Sequence, residues 1–363
     1  MAYDPLSELR NTISDQLQRF WPSAEEATRS VQANFTEETP APESTPTPGT
    51  KRSANTRYGI RNPAPANALR EDVAAEIAAM LQRNPTWTEN LDSIASTNLP
   101  TVGGAKNVNN LPLGARLRTR GIFEDDWAAR TDANHPWPVI LLHGTVDSKG
   151  VWQLLGNELR QDGWAVFAPD YGIRATGLIP DSAAQVGAYI DAVLAVTGAE
   201  KVIVIGHSQG GVIARYWMRH GGGADKMKHL ICLGSPNHGT TQGGIISPLI
   251  ASRVGANVMQ YVIDAYFGPA GAQQLADSPI IHSLNEGGEL EEGVTYTNIA
   301  TKSDTVVVPP ETCFLAPDEV KDGTVRNIYV QDFDRRAVVL HHDMPVDKRV
   351  RAITRTILRQ LKP

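Results

Sequence analysis

Apolar positions along this chain fall into two kinds of run, and from residue 138 onward the two kinds alternate. Short, largely unbroken apolar stretches occupy 139–142 (V-I-L-L), 164–168, 202–205 (V-I-V-I) and 229–233, and shorter runs mixed with polar residues occupy 295–300 (T-Y-T-N-I-A) and 325–330 (V-R-N-I-Y-V). Runs of that length, rich in β-branched residues and closed by polar or glycine-rich turns, predict strands buried on both faces. Between them the apolar residues recur every three or four positions. This holds for 152–160, for 182–196 (Val186, Tyr189, Ile190, Val193, Leu194), for the stretch carrying Val212, Ile213, Tyr216 and Trp217, and for 346–361. Such a period predicts helices with one inward face. Strand alternating with helix predicts an α/β domain: a mostly parallel sheet, right-handed crossovers, and helices on both faces.

Two regions break the alternation. Residues 1–132 form an expected N-terminal extension, leaving 133–363 as the α/β domain. Within the extension, Leu6, Leu9, Ile13, Leu17, Phe20 and Trp21 make a helical stripe ended by Pro22. Its polar face balances Glu8 and Asp15 against Arg10 and Arg19, which favours packing on the core or on a second subunit over lying on a membrane. Residues 36–50 are Pro, Thr, Glu and Ser with few apolar residues, a linker composition. Residues 55–65 are irregular. Residues 70–82 read as an Ala-rich helix with Val73, Ile77, Met80 and Leu81 inward, stopped before Pro85. Residues 84–126 have no clear period and read as surface wrapping. The second break is an insertion at about 240–293. There Ile245, Ile246, Leu249, Ile250 and Val254, then Val258, Tyr261, Val262, Ala265, Tyr266 and Phe267, predict two short apolar helices. Following a strand, they would form a helical cap over the carboxyl ends of the sheet, where open α/β sheets bind ligands.

Composition narrows the field. The 363 residues are 41% hydrophobic and 20% charged, enough apolar material for a sizeable core. A net charge of -6 argues against nucleic acid as the main partner. No apolar run is long enough to span a bilayer, so no transmembrane segment is expected. The start, M-A-Y-D-P-L-S-E-L-R, lacks the basic and apolar parts of a signal peptide, which gives a cytoplasmic expectation. The two cysteines, Cys232 in an apolar run and Cys313 after Pro-Pro, are expected as free thiols. No Cys/His spacing suggests zinc, and neither a metal nor another cofactor is called for. The pattern does not specify an oligomeric state.

The chemistry concentrates at Gly206-His207-Ser208-Gln209-Gly210. This G-x-S-x-G follows a predicted buried strand and opens a predicted helix, the context of a nucleophile elbow. A serine hydroxyl is a weak nucleophile unless the chain holds it out toward a base. The sharp turn does so and crowds the positions two before and two after, where glycine removes the clash. A serine nucleophile on such an elbow requires a base, an acid to orient it, and donors for the oxyanion, in the chain order Ser, Asp/Glu, His. His220, His229, His238 and His282 precede any suitable acid, leaving His341 and His342. Asp304 sits on a polar turn after the strand at 295–300, where the acid belongs. Asp318 lies too deep in the next loop, Asp332 and Asp334 could at most replace Asp304, and Asp170 reads as structural or as a pocket rim. The oxyanion donors are expected to be the N–H of Gln209 and an N–H from the loop after 139–142, Thr145 or else Gly144. His143 is expected to hold that loop by hydrogen bonds.

Five stretches resemble the bacterial class 2 lipases, a branch of the α/β hydrolases. They are V-I-L-L-H-G-T at 139–145, G-H-S-Q-G-G at 206–211, L-G-S-P-N-H-G-T-T at 233–241, Y-T-N-I-A-T-K-S-D-T-V-V-V-P at 296–309, and the tail around His341. The resemblance covers about the last two thirds of the chain. It implies an α/β-hydrolase fold and hydrolysis of carboxylic esters, usually acylglycerols, by Ser208, Asp304 and a C-terminal histidine. It also implies His341 rather than His342 as the base, because Asp347 and Val350 then fall in the family's register. Asp343 departs from the small residue usual two places after the base. The same triad would serve acyl transfer to a lipid or glycan hydroxyl, and a hydrolase-fold module without catalysis is a third, remoter reading.

Overall fold

The computed structural model describes residues 69, 71–73, 75, 76, 79, 111–116, 119–241, 244, 263–316 and 323–361. All belong to one unit, Tyr58–Pro363. Six strands form one sheet: β1 (Val139–Leu142), β2 (Val166–Phe167), β3 (Val202–His207), β4 (Met227–Leu233), β5 (Thr295–Ala300) and β6 (Val325–Tyr329). Their order is β2-β1-β3-β4-β5-β6, and every neighbouring pair is parallel. The pleat sends alternate residues to opposite faces, which is why both faces need cover. Val139 and Leu141 point into one apolar cluster, with Leu155 and Leu159 of α1 (Gln153–Gln161), Trp152 of the turn before that helix, and Ile353 and Ile357 of α6 (Lys348–Gln360). Ile140 and Leu142 point into the other, with Val186 and Ile190 of α2 (Ile179–Thr197) and Val212, Ile213 and Trp217 of α3 (Gln209–His220).

Element boundaries move for local reasons. The edge strand β2 pairs with β1 alone and has only two ladder residues, although Trp164 and Ala165 beside it are also buried. Helix α2 starts at Ile179, before the expected 182, because Pro180 fits a first turn whose N–H groups have no acceptor within the helix, where Ile179 N instead donates to Gln273 Oε1 at 2.7 Å. Helix α6 starts after Asp347, whose carboxylate accepts from Arg349 N and Val350 N. Nothing in the pattern foretells the turn at 172–175. Gly172, Ile173, Arg174 and Ala175 all take positive φ, at 58°, 50°, 61° and 54°, a left-handed turn costly for a β-branched isoleucine.

Within the expected cap, residues 263–267 are helical, followed by α4 (Pro269–Gln273) and α5 (Pro279–Asn285). The stretch 245–262, which carries most of the two expected cap helices, lies outside the described residues. So do the expected helix at 6–21, the linker at 36–50, the irregular 55–65 and residues 84–110. Of the expected helix at 70–82, residues 69, 71–73, 75, 76 and 79 are helical; Leu69 and Val73 join the core, and Glu76 pairs with Arg355 and Arg359 of α6 at 2.5 and 2.6 Å. Phe123, from the stretch expected to wrap the surface, is buried in the same core. Cys232 and Cys313 are both buried and unpaired. Among the described residues, no helix is long and apolar enough to cross a membrane.

Candidate active site

Parallel strands all end on one side of the sheet, and the loops after β1, β3, β4 and β5 converge there. Ser208 ends β3 and caps α3 with φ 52° and ψ -122°, a backbone state that L-residues rarely hold. Its N–H is anchored to Leu233 O of β4 at 2.9 Å. The flanking glycines are required sterically. A Cβ on Gly206 would strike the backbone of Gly210 and Gly211, and a Cβ on Gly210 would strike the Leu142 carbonyl of β1. The tightness of the elbow thus locks β1, β3 and α3 together.

Asp304 and His341 meet here. Asp304 Oδ2 lies 2.8 Å from His341 Nδ1, while Oδ1 accepts from Val306 N and Val307 N at 2.8 and 2.9 Å. Asp304 therefore caps its own turn and also fixes one imidazole nitrogen. The His341 ring packs on Gly234, the residue after Leu233; a Cβ there would stand 3.3 Å from Nδ1. The ring thus lies beside the strand end that anchors Ser208, and its centroid is 5.0 Å from that of His207. His207 Nε2 donates to the His341 carbonyl at 2.9 Å. A carbonyl only accepts, so this bond settles where the His207 proton sits. Burial, with His341 adding to it, holds the His207 pKa well below the usual imidazole range. The His342 ring lies 3.4 Å from the Asp343 carboxylate instead. Burial, followed by the Arg120 and His341 charges, pushes His342 down to about 3, and burial pushes Asp343 up to about 6.

The other sequence candidates have partners elsewhere. Asp332 caps Tyr329 N at 2.9 Å, Asp334 pairs with Arg349 at 3.0 Å, and Asp170 accepts from Lys149 N at 2.8 Å. His229 lies between Thr295 and Thr297 hydroxyls at 2.6 and 3.1 Å. Asp318 lies outside the described residues.

The loop after β1 approaches the serine directly. A Cβ on Gly144 would stand 3.1 Å from both Ser208 Cβ and His207 Nδ1. Gln209 is the first residue of α3, and first-turn N–H groups have no acceptor within their helix. The N–H groups of Thr145 and Gln209 therefore belong to backbone segments flanking the serine. Several side chains brace the β1 loop. His143 Nδ1 donates to Gly144 O at 2.9 Å, as expected of a loop-holding histidine. Tyr171 stacks on that ring, with centroids 4.4 Å apart, and donates to His143 O. The Arg174 guanidinium, from the left-handed turn, donates to Val146 O and to Asp147 O, and Arg174 O accepts from Val146 N at 2.8 Å. Gln274 Nε2 donates to Thr145 Oγ1 at 3.0 Å.

A second brace joins the loops that carry Asp304 and His341. Gln331 donates to Thr301 Oγ1 and Ala337 O at 3.0 and 2.9 Å and accepts from Lys302 N at 3.0 Å; Thr301 Oγ1 donates to Val339 O at 2.9 Å. Sequence reasoning found none of His207, Tyr171, Arg174, Gln274 or Gln331. Only His207 and Tyr171 carried a signal, one inside the G-x-S-x-G and one just past a strand end.

With this geometry in view, comparison with known proteins is informative. A family model described as the alpha/beta hydrolase fold matches residues 138–279, from just before β1 to the start of α5. The chain adopts an α/β-hydrolase fold. The match includes Ser208 and Thr145 but ends before Asp304 and His341. A triacylglycerol lipase of Burkholderia plantarii is 36% identical over 96 residues, 24% of this chain and 27% of the lipase. A triacylglycerol lipase of Pseudarthrobacter phenanthrenivorans is 36% identical over 95 residues, 24% of this chain and 30% of that one. The matched stretch thus spans less than a third of either relative. Among solved structures, lipase B of Aspergillus fumigatus covers 74% of this chain and 63% of its own, at 19% identity and a TM-score of 0.46.

Proposed function

We propose that this chain hydrolyses carboxylic esters of lipids, with Ser208 as nucleophile, His341 as general base and Asp304 orienting it. The observation that carries the reading is the 2.8 Å contact between Asp304 and His341, formed beside a serine held at φ 52°. The lipid substrate, of the acylglycerol class, is supported by the partial identity to two triacylglycerol lipases and by the likeness of 139–145, 206–211, 233–241 and 296–309 to class 2 lipases.

In this reading Asp304 keeps the proton on Nδ1 of His341, leaving Nε2 as the basic atom. Nε2 takes the Ser208 proton as Oγ bonds to the ester carbonyl carbon. The N–H groups of Thr145 and Gln209 hold the oxyanion, and losing one such donor typically costs about 10²–10³ in kcat. The tetrahedral species collapses, its C–O bond to the alcohol breaks, and His341 returns the proton to the departing alkoxide. Water, deprotonated by His341, then attacks the acyl-enzyme and releases the carboxylic acid and Ser208.

Two measurements test this. Purified protein should turn over p-nitrophenyl esters somewhere in the range from acetyl to palmitoyl, and a fluorophosphonate probe should label Ser208. Ser208→Ala should abolish both. Absence of turnover at every chain length together with absence of labelling would overturn the proposal.

A further inference from the structure

Arg120 belongs to a stretch whose sequence pattern suggested only surface wrapping, and it lies before the family match begins. Its position is nevertheless firmly set. Ile122 N donates to Gln153 Oε1 at 2.9 Å, Phe123 is buried under the Arg160 guanidinium at 4.2 Å, and Arg160 donates to Glu124 O at 2.7 Å. Gly121 and Gly150 approach so closely that a Cβ on either would strike the other's carbonyl. The strip 120–124 is therefore sealed along α1 and the turn before it.

From this strip the Arg120 guanidinium reaches two loops at once. It donates to the carbonyl of His342 at 2.6 Å and to Asp147 Oδ2 at 3.3 Å, with Asp343 Oδ1 a further 3.8 Å contact. His342 follows His341 directly. Asp147 lies two residues beyond Thr145, and its N–H donates to Gly144 O at 3.2 Å. The loop that carries His341 thus has two successive carbonyls held by side chains from other elements, His341 O by His207 of the elbow and His342 O by Arg120. An exposed arginine–carboxylate pair alone contributes little. A charge-assisted bond to a backbone carbonyl beside the base is different, because small displacements of reacting groups cost large factors in rate.

We propose that Arg120 is a positioning residue for ester hydrolysis, stapling the loop that carries His341 to the loop that carries the oxyanion donor. The inference rests on the hydrolase reading above. It makes the stretch before β1 part of the active-site framework, and it asks nothing of the His342 side chain, only its carbonyl.

The test uses the full chain with p-nitrophenyl butyrate, comparing Arg120→Met, Arg120→Lys, Asp147→Asn and the Arg120→Met/Asp147→Asn pair. Arg120→Met should lower kcat about tenfold or more with KM within about twofold, and Arg120→Lys should recover part of the loss. The double variant should be no slower than about the worse single, since the two residues act as one unit. If Arg120→Met instead keeps kcat within about twofold of the parent, or if the two losses multiply, Arg120 is only a surface contact. A loss of kcat that merely tracks loss of folded protein in thermal melts, with Arg120→Lys equally impaired, overturns the proposal as well. These outcomes require an active parent. A parent without Ser208-dependent turnover overturns the hydrolase reading and this inference together, whereas an active parent with unaffected variants overturns this inference alone.

Discussion

At the residue scale, His341 and His342 are neighbours of the same type whose surroundings separate them. The Asp304 carboxylate holds Nδ1 of His341, whereas His342 sits against Asp343 with its pKa pushed down to about 3 by burial and then by the Arg120 charge. A base must be oriented as well as present, and only His341 has the acid behind it. Replacing His341 with Ala should therefore lower kcat by about 10⁴ or more, and Asp304→Asn by about 10⁴ through loss of the correct tautomer. His342→Ala should leave kcat within about threefold, because the bond to Arg120 is made by its carbonyl, which the substitution keeps. Steady-state kinetics of the three variants would settle the assignment, and a silent His341→Ala would refute it.

At the scale of elements, the elbow shows how much one turn can fasten. The Gly210 Cα faces the Leu142 carbonyl at the end of β1, and Gly206 faces the backbone that opens α3. A methyl group at either site would strike backbone, which cannot rotate away as a side chain could. We expect Gly210→Ala to destabilise the fold by about 3 kcal/mol or more, in the range of overpacked cores, and to lower the activity of whatever folds. Urea unfolding of the purified variant would check this; a midpoint unchanged from the parent would mean that β1 and α3 can part without cost. The central strands β1, β3 and β4 were legible as apolar runs because they are buried on both faces, whereas β5 and β6 bury polar residues such as Asn298 and Asn327 and were read from the alternation with helices. The left-handed turn at 172–175 was not legible. Its conformation is held by distant partners such as Val146, and no local residue type announces it.

At the scale of the whole molecule, burial of titratable groups sets how stability depends on pH. His207, His229 and His342 all have pKa values depressed by burial, His229 and His342 to about 3. Unfolded, each returns to about 6.5. The unfolded chain therefore binds more protons below pH 6.5, and these three groups contribute stability that is present above that value and lost as pH falls. Asp343 works the other way. Its pKa is raised to about 6, so it costs stability as pH rises between about 4 and 6. Burial depresses the His143 imidazole as well and raises the Glu158 carboxyl, so lowered imidazoles still outnumber raised carboxyls, and the chain should take up protons on unfolding near pH 5 and lose stability as pH falls through that range. Replacing His229 with Gln should reduce the slope by about one proton, roughly 1.4 kcal/mol per unit. Urea unfolding at a series of pH values between 4 and 6 measures it, and an unchanged slope would show that His229 is not held neutral.

What the sequence determined alone is whatever depends on local pattern and chain order. Unbroken apolar runs specify buried strands, the 3.6-residue period specifies covering helices, and G-x-S-x-G between the two specifies the elbow. Chain order narrowed the base to two adjacent histidines and favoured Asp304 as the acid, with Asp332 or Asp334 as its only replacements. Tertiary structure decided the rest, because it depends on which loops meet above the sheet. It turned Asp304 toward His341 and not His342. It brought His207 and Gln274 into contact with site loops far away in sequence. It carried Arg120 across 222 positions to the carbonyl of His342, next to His341. A hydrogen bond of that span leaves no periodic trace in the chain, since its two ends are joined only by the way the sheet stacks its loops.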